Sequence, residues 1–205
     1  MERSPSVSAV VFDIGGVLVV AESAALTLAP SVGVDPRRFD DAYWRHRPAF
    51  DLGGLSPAEY WGAVAAEVGL ELSAAQVERY DQVDASRWAR LSPGRGDLLA
   101  DIAAAPVRTA ILSNAPRSLA TRVRAGWGTW ASTAVFSAEV GVMKPDARIY
   151  ELVEDDLGLP GEGIAFFDDR PENVAAARER GWRADIWESP ERCRVALREL
   201  GVLDA

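Results

Sequence analysis

An α/β fold, with a doubly wound parallel sheet interrupted early by a small helical bundle, is predicted by three observations. Short apolar runs end in turn or polar residues, helical patterns alternate with the later runs, and about ninety residues separate the first run from the second. The runs at 7–12, 107–112, 133–136, 163–167 and 184–187 read as buried strands, because most carry apolar side chains at consecutive positions. Helical patterns fill 94–105, 116–127, 145–157, 171–180 and 190–200. Strand, helix, strand alternation implies parallel pairing with helices on both faces of the sheet.

The long first gap needs its own explanation, since one crossover helix would suffice to connect two parallel strands. Its helix-start signals supply it. Asp35 before Pro36 offers an N-cap and a first-turn proline, "SPAE" at 56–59 combines a capping box with Pro57, and "SAAQ" at 73–76 repeats the box. With a further helical stretch at 21–28 this makes about four helices, enough for a compact bundle. The expected division is core at 1–19, helical insertion at 20–88 and the rest of the core at 89–205. Trp44, Trp61 and Trp88 fall in the helical patterns of the insertion and are expected to form its core, and Trp127 and Trp130 suit helix packing or a turn.

At 205 residues, with 48% hydrophobic and 26% charged residues, the chain matches an ordinary folded globule carrying an insertion. A net charge of −9 repels a phosphate backbone over most of the surface and argues against nucleic acid as a partner. A small phosphorylated molecule needs only a local positive site. The single cysteine, Cys193, has no internal partner and lies in an amphipathic helical pattern, where it reads as a packed or half-exposed helix residue. The first apolar run is too short for a signal peptide, and no segment approaches the roughly 20 apolar residues that span a bilayer, so a cytoplasmic protein without a membrane partner is expected. Oligomeric state is open.

Ligands of an open parallel sheet bind beyond the carboxyl ends of its strands, and four chemically capable clusters stand there. Asp13 follows "VVF", Ser113 and Asn114 follow "AIL", Lys144 stands in "GVMKP" after the third run, and Asp168 and Asp169 follow "IAFF". Any one of these suits a turn or cap. Four strand ends agreeing do not reduce to turn chemistry. Three converging carboxylates repel one another unless a cation joins them, and magnesium suits hard oxygen ligands. With charge on the phosphoryl oxygens offset by that ion and by Lys144, Asp13 is placed to attack phosphorus and form an aspartyl-phosphate.

The segments "VVFDIGGVL", "ILSNAP", "EVGVMKPDARIY" and "FFDDRPENV" resemble the four ordered motifs of the haloacid dehalogenase-like hydrolases. The resemblance spans 7 to about 173, and it implies a Rossmann-like core with a type-1 helical cap inserted after the first motif. It further implies that Asp13 is the nucleophile and a magnesium ligand, that Ser113 and Asn114 contact the phosphoryl group or its surroundings, and that Lys144 orients the nucleophile and offsets charge. Asp168 would ligate the Mg2+ ion and Asp169 would support it directly or through water, with Asn114 and Asn173 as supporting groups. Lys144 is the one lysine among 22 Lys and Arg residues, so the compact ammonium looks specific to that position.

One departure stands out. Phosphatases of this family usually read Asp-x-Asp, the second aspartate serving as acid and base, whereas this chain reads Asp13, Ile14, Gly15. Gly15 retains a backbone carbonyl for the metal but has no proton to give, a loss worth roughly 10²–10⁴ in rate. The cap segment holds one histidine, His46, as a possible substitute, and Arg45 and Arg47 beside it as a grip for a substrate anion. The expected function is therefore magnesium-dependent hydrolysis of a small phosphorylated metabolite. The alternatives are a degenerate member that binds a phosphorylated ligand or a protein without turnover, and a metal-free haloacid dehalogenase, for which the retained Asp168 and Asp169 pair has no use.

Overall fold

The computed structural model describes residues 6–29 and 33–204. Five parallel strands, β1 (Ala9–Phe12), β2 (Arg108–Ser113), β3 (Thr133–Phe136), β4 (Ile164–Asp168) and β5 (Arg183–Ile186), form one sheet in the order β3-β2-β1-β4-β5. The chain starts at the centre, builds outward through β2 and β3, then crosses back to add β4 and β5 on the other side of β1. The strand order therefore reverses between β1 and β4, and the loops that follow those two strands leave in opposite directions. A crevice opens there.

Side-chain alternation along the central strands divides the interior into two layers. Val10 and Phe12 of β1, Ile111 of β2 and Ala165 and Phe167 of β4 face α5 (Arg95–Ala103), α6 (Arg117–Ala125) and α10 (Pro190–Glu199), packing on Leu98, Ile102, Leu119, Val123 and Leu197. Their neighbours Ala9, Val11, Ala110, Leu112 and Phe166 face α8 (Ala147–Leu157) and α9 (Pro171–Glu179), packing on Ile149, Tyr150, Val153 and Val174. Cys193 is buried in the first of these layers, the packed one of the two positions its helical pattern allows.

Between β1 and α5, the helices α1 (Ala24–Leu28), α2 (Pro36–Asp51), α3 (Pro57–Glu67) and α4 (Ala74–Trp88) share an apolar interior of their own built on Phe39, Tyr43, Phe50, Tyr60, Trp61 and Tyr80. Local chemistry starts them as expected. Asp35 accepts hydrogen bonds from the amides of Arg37 and Arg38, and Ser56 with Glu59 and Ser73 with Gln76 form reciprocal capping boxes, each cap contributing about 1 kcal/mol. The two connections to the core run side by side, the Ser92 amide donating to the Leu18 carbonyl and the Val20 amide to the Ser92 hydroxyl.

Three expectations need correction. The run at 184–187 forms an edge strand rather than a buried one, since β5 has a single neighbour and Ile186 is 40% exposed. Trp44 is half exposed, outside the insertion's interior that Trp61 fills. Trp88 likewise stands outside that interior, packed against the core-domain cluster at the foot of α4. Among the described residues, no helix is long and apolar enough to cross a membrane.

Candidate active site

The crevice at the β1/β4 switch is a cleft of about 440 Å³ between the sheet's carboxyl edge and the insertion. Its floor carries Asp13, Gly15, Ser113, Asn114, Lys144, Asp169 and Asn173, and its roof Trp44, Arg47, Asp51 and Trp88. A larger cleft of about 670 Å³, beside the two connections to the insertion, contains none of the motif residues. The smaller cleft is the one lined by Asp13, Ser113, Lys144 and Asp169.

Short-range geometry explains how each floor residue is held. Asp13 follows β1 directly and its amide donates to the Phe167 carbonyl, so β4 fixes the Asp13 backbone. Lys144 Nζ lies 3.0 Å from Asp13 Oδ1 and 2.5 Å from Asp168 Oδ2, bridging the two strand ends. Asp168 also accepts at Oδ1 from the Arg170 amide, and Asn173 Nδ2 donates to both of its carboxylate oxygens, at 2.9 Å to Oδ1 and 3.1 Å to Oδ2, which holds the carboxylate in place. Asn114 is occupied at both ends: its Nδ2 donates to the Lys144 carbonyl at 2.9 Å and its Oδ1 accepts from the Lys144 amide at 2.8 Å. This pairing holds the Lys144 backbone, and Asn114 also lines the cleft.

Carboxylate oxygens of Asp13, Asp168 and Asp169 all lie within 4.8 Å of one another. Burial pushes the Asp13 carboxyl up to about 6; Lys144 and the Ser113 hydroxyl act to lower it, and the Asp168 charge raises it further. Burial and the Asp168 charge raise Asp169 as well. Burial alone would depress the Lys144 ammonium, but Asp13 and Asp168 outweigh it and hold the group above its ordinary value. The cluster is thus short of positive charge. Asn173 Oδ1 is buried without a hydrogen-bond partner. An all-oxygen donor set of this kind fits a hard divalent cation and no thiolate- or imidazole-seeking metal.

The two glycines that follow at 15 and 16 stand in different surroundings. Gly16 has φ +75°, and a Cβ there would lie 2.2 Å from Asp169 Oδ2, so only glycine leaves that carboxylate its place. Gly15 lies outside the left-handed region, and a Cβ there would meet Trp88 Cζ3 at 3.4 Å. The Trp88 ring covers the spot from which a side chain at 15 would act, and its indole N–H donates to the Tyr43 hydroxyl at 2.9 Å.

Insertion residues divide differently from the sequence reading. Arg45 and His46 both pair with Glu67, at 2.8 and 2.7 Å, and neither lines the cleft. The structure therefore does not bring Arg45 to the substrate side, nor His46 to the position of the missing acid. Arg47 does line the cleft, but its guanidinium is buried and bound to Asp51 at 2.6 Å and Asp84 at 2.9 Å, and it contacts the Tyr43 hydroxyl. It braces the roof instead of standing free for an anion. Asp51 and Trp88 enter the cleft unannounced by any motif.

A family model of haloacid dehalogenase-like hydrolases matches residues 7–181. This chain belongs to that family. Among solved structures, it is similar to a HAD family enzyme from Bacteroides thetaiotaomicron at 19% identity, covering 89% of this chain and 94% of that one with a TM-score of 0.73. The same enzyme was also solved in complex with magnesium and inorganic phosphate. An L-2-haloacid dehalogenase from Xanthobacter autotrophicus is similar at 22% identity and TM-score 0.67, covering 87% of this chain and 76% of that one. At such identities the likeness is one of fold. A drimenol cyclase from Aspergillus calidoustus is 33% identical over 61 residues, 30% of this chain, and the match spans only 12% of the cyclase. As a haloacid dehalogenase-like hydrolase, the chain combines the parallel core with an acidic cluster suited to a metal.

Proposed function

We propose that this haloacid dehalogenase-like hydrolase is a magnesium-dependent phosphohydrolase acting on a small phosphorylated molecule, through an aspartyl-phosphate on Asp13. The observation that carries the reading is the meeting of Asp13, Asp168 and Asp169 around the chain's one lysine. Asp13, Asp168 and Asp169 would hold Mg2+, with the Gly15 carbonyl beside them, and the ion would supply charge neutralisation for the phosphoryl oxygens. Lys144 adds a second positive charge and keeps the Asp13 carboxylate aimed. Ser113, buried at the end of β2, offers its hydroxyl to a phosphoryl oxygen. The insertion acts as a cap whose Trp44 and Trp88 keep water from the cleft.

Phosphoryl transfer is favoured over displacement of halide because a metal-free site gains nothing from holding three carboxylates together. A cleft of about 440 Å³ suits a small ester, and the net charge of −9 opposes nucleic acid. The test is hydrolysis of an aryl phosphate with magnesium, which needs little leaving-group protonation. Asp13→Asn and chelation should each abolish it, the latter reversibly. Halide release from a 2-haloacid by the metal-free protein would instead make the chain a dehalogenase, and magnesium binding without hydrolysis would make it a binding protein.

A further inference from the structure

A phosphomonoester with an alkyl leaving group cannot depart without a proton, and Gly15 has none to give. The carboxylates lining the cleft are Asp13, Asp51 and Asp169. Asp13 is committed to phosphorus, and Asp169 stands in the acidic cluster on the floor. Asp51 is the one left over, and it stands on the opposite wall.

Its position is built from both halves of the molecule. Asp51 is the last residue of α2, and Arg47 one turn earlier donates from Nε to its Oδ1 at 2.6 Å. Among the described residues, Asp51 Oδ2 has no hydrogen-bond partner, which leaves that oxygen for the cleft. The Asp51 carbonyl accepts from the Ser137 hydroxyl, and Ser137 Oγ in turn accepts from the Ala115 amide at 2.9 Å. Two residues on, Gly53 has φ +81° and approaches so closely that a Cβ would lie 2.7 Å from the Ala138 carbonyl oxygen. The end of α2 is therefore pinned to Ser137 and Ala138 beyond β3, and Ser137 in turn holds Ala115 of the loop that carries Ser113 and Asn114.

We propose that Asp51 is the catalytic acid and base of this site, taking the place of the carboxylate absent at Gly15. The inference rests on the phosphohydrolase reading. In the first step an Asp13 oxygen bonds to phosphorus, the bond from phosphorus to the leaving oxygen breaks with its electron pair, and that oxygen takes the proton from the Asp51 carboxyl. In the second, water attacks phosphorus, gives one proton to the Asp51 carboxylate, and the bond from phosphorus to Asp13 breaks with its pair returning to Asp13. Alcohol and inorganic phosphate leave, and Asp51 ends protonated as it began. Burial holds the Asp51 carboxyl up at about 6 although Arg47, on its own helix, acts to lower it; Asp84 from α4 adds a raising charge, and Ser137 from α7 (Ser137–Val140) touches only its backbone. A group at that value supplies both protonation states near neutrality.

The test is Asp51→Asn in the full chain with magnesium, assayed on an alkyl phosphate and on p-nitrophenyl phosphate. Alkyl kcat/KM should fall about 100-fold, while the single-turnover rate of enzyme phosphorylation by the aryl ester stays within about threefold and phosphoenzyme accumulates for want of a base. Asp51→Glu should recover part of the alkyl rate. In the parent, the alkyl rate should fall as pH rises through the Asp51 value and aryl phosphorylation should not, a comparison that needs no variant to fold. Equal losses on both esters, no loss, or matching pH profiles would overturn the role of Asp51 alone. A parent without aryl phosphatase activity would overturn the phosphohydrolase reading and this inference with it.

Discussion

Gly16→Ala should damage this protein in two measurable ways, while the same change one residue earlier should do almost nothing. At 16 the backbone has φ +75°, where an L side chain costs roughly 1–2 kcal/mol. For a chain of this length that lowers the melting temperature by roughly 2–8 °C. The new Cβ would also sit 2.2 Å from Asp169 Oδ2, so the carboxylate has to retreat by about 1 Å to reach ordinary contact. Displacing a metal-cluster oxygen by that much should weaken magnesium on the order of 10–100-fold. At saturating magnesium each tenfold weakening removes about 1.4 kcal/mol from the ion's stabilisation, so the variant's melt should respond less to added magnesium than the parent's. Gly15→Ala is the control: its φ is ordinary and its Cβ meets only the Trp88 ring edge, at 3.4 Å. Thermal melts over a magnesium series separate the two effects. A Gly16→Ala protein that melts like the parent and gains as much from magnesium would refute the argument from the Asp169 contact.

Gly15→Asp, introduced into Asp51→Asn, should restore alkyl hydrolysis by about 10-fold or more relative to aryl hydrolysis once Trp88 shifts, read as the ratio of the two kcat/KM values. Lys144→Met leaves Asp13 and Asp168 buried without their cation and should cost about 3–5 kcal/mol in denaturant melts without magnesium, more than any exposed ion pair in the chain. Without metal, the raised Asp13 carboxyl favours folding only while protonated; its contribution is present below its ordinary value of 3.8 and is lost as pH rises to about 6. Asp13→Asn should therefore become more stable than the metal-free parent by on the order of 1–3 kcal/mol above that pH, and the difference should shrink at pH 4. A constant difference across the range would show that Asp13 is not held up by burial.

Much of this protein is legible without coordinates because its chemistry is attached to local patterns. Asp13, Ser113 and Asp168 each directly follow or end an apolar run, and a buried parallel strand both produces such a run and delivers its last residue to one edge of the sheet. The caps at Asp35, Ser56 and Ser73 are equally local, each needing only partners two or three residues ahead. The edge exposure of β5 was not readable, since it follows from strand order. Nor was the roof of the cleft. Positions 45, 46, 47 and 51 share one helix, and its periodicity shows that 47 and 51 share a face without saying which face meets the core. That choice is made by contacts between residues far apart in sequence: Glu67 draws Arg45 and His46 to α3, while Ser137 and the close approach of Gly53 to Ala138 hold Asp51 at the cleft. Sequence alone determined what stands at the strand ends, because strands deliver their own residues; only tertiary packing decided what faces them, because the docking of the insertion depends on partners that no local spacing encodes.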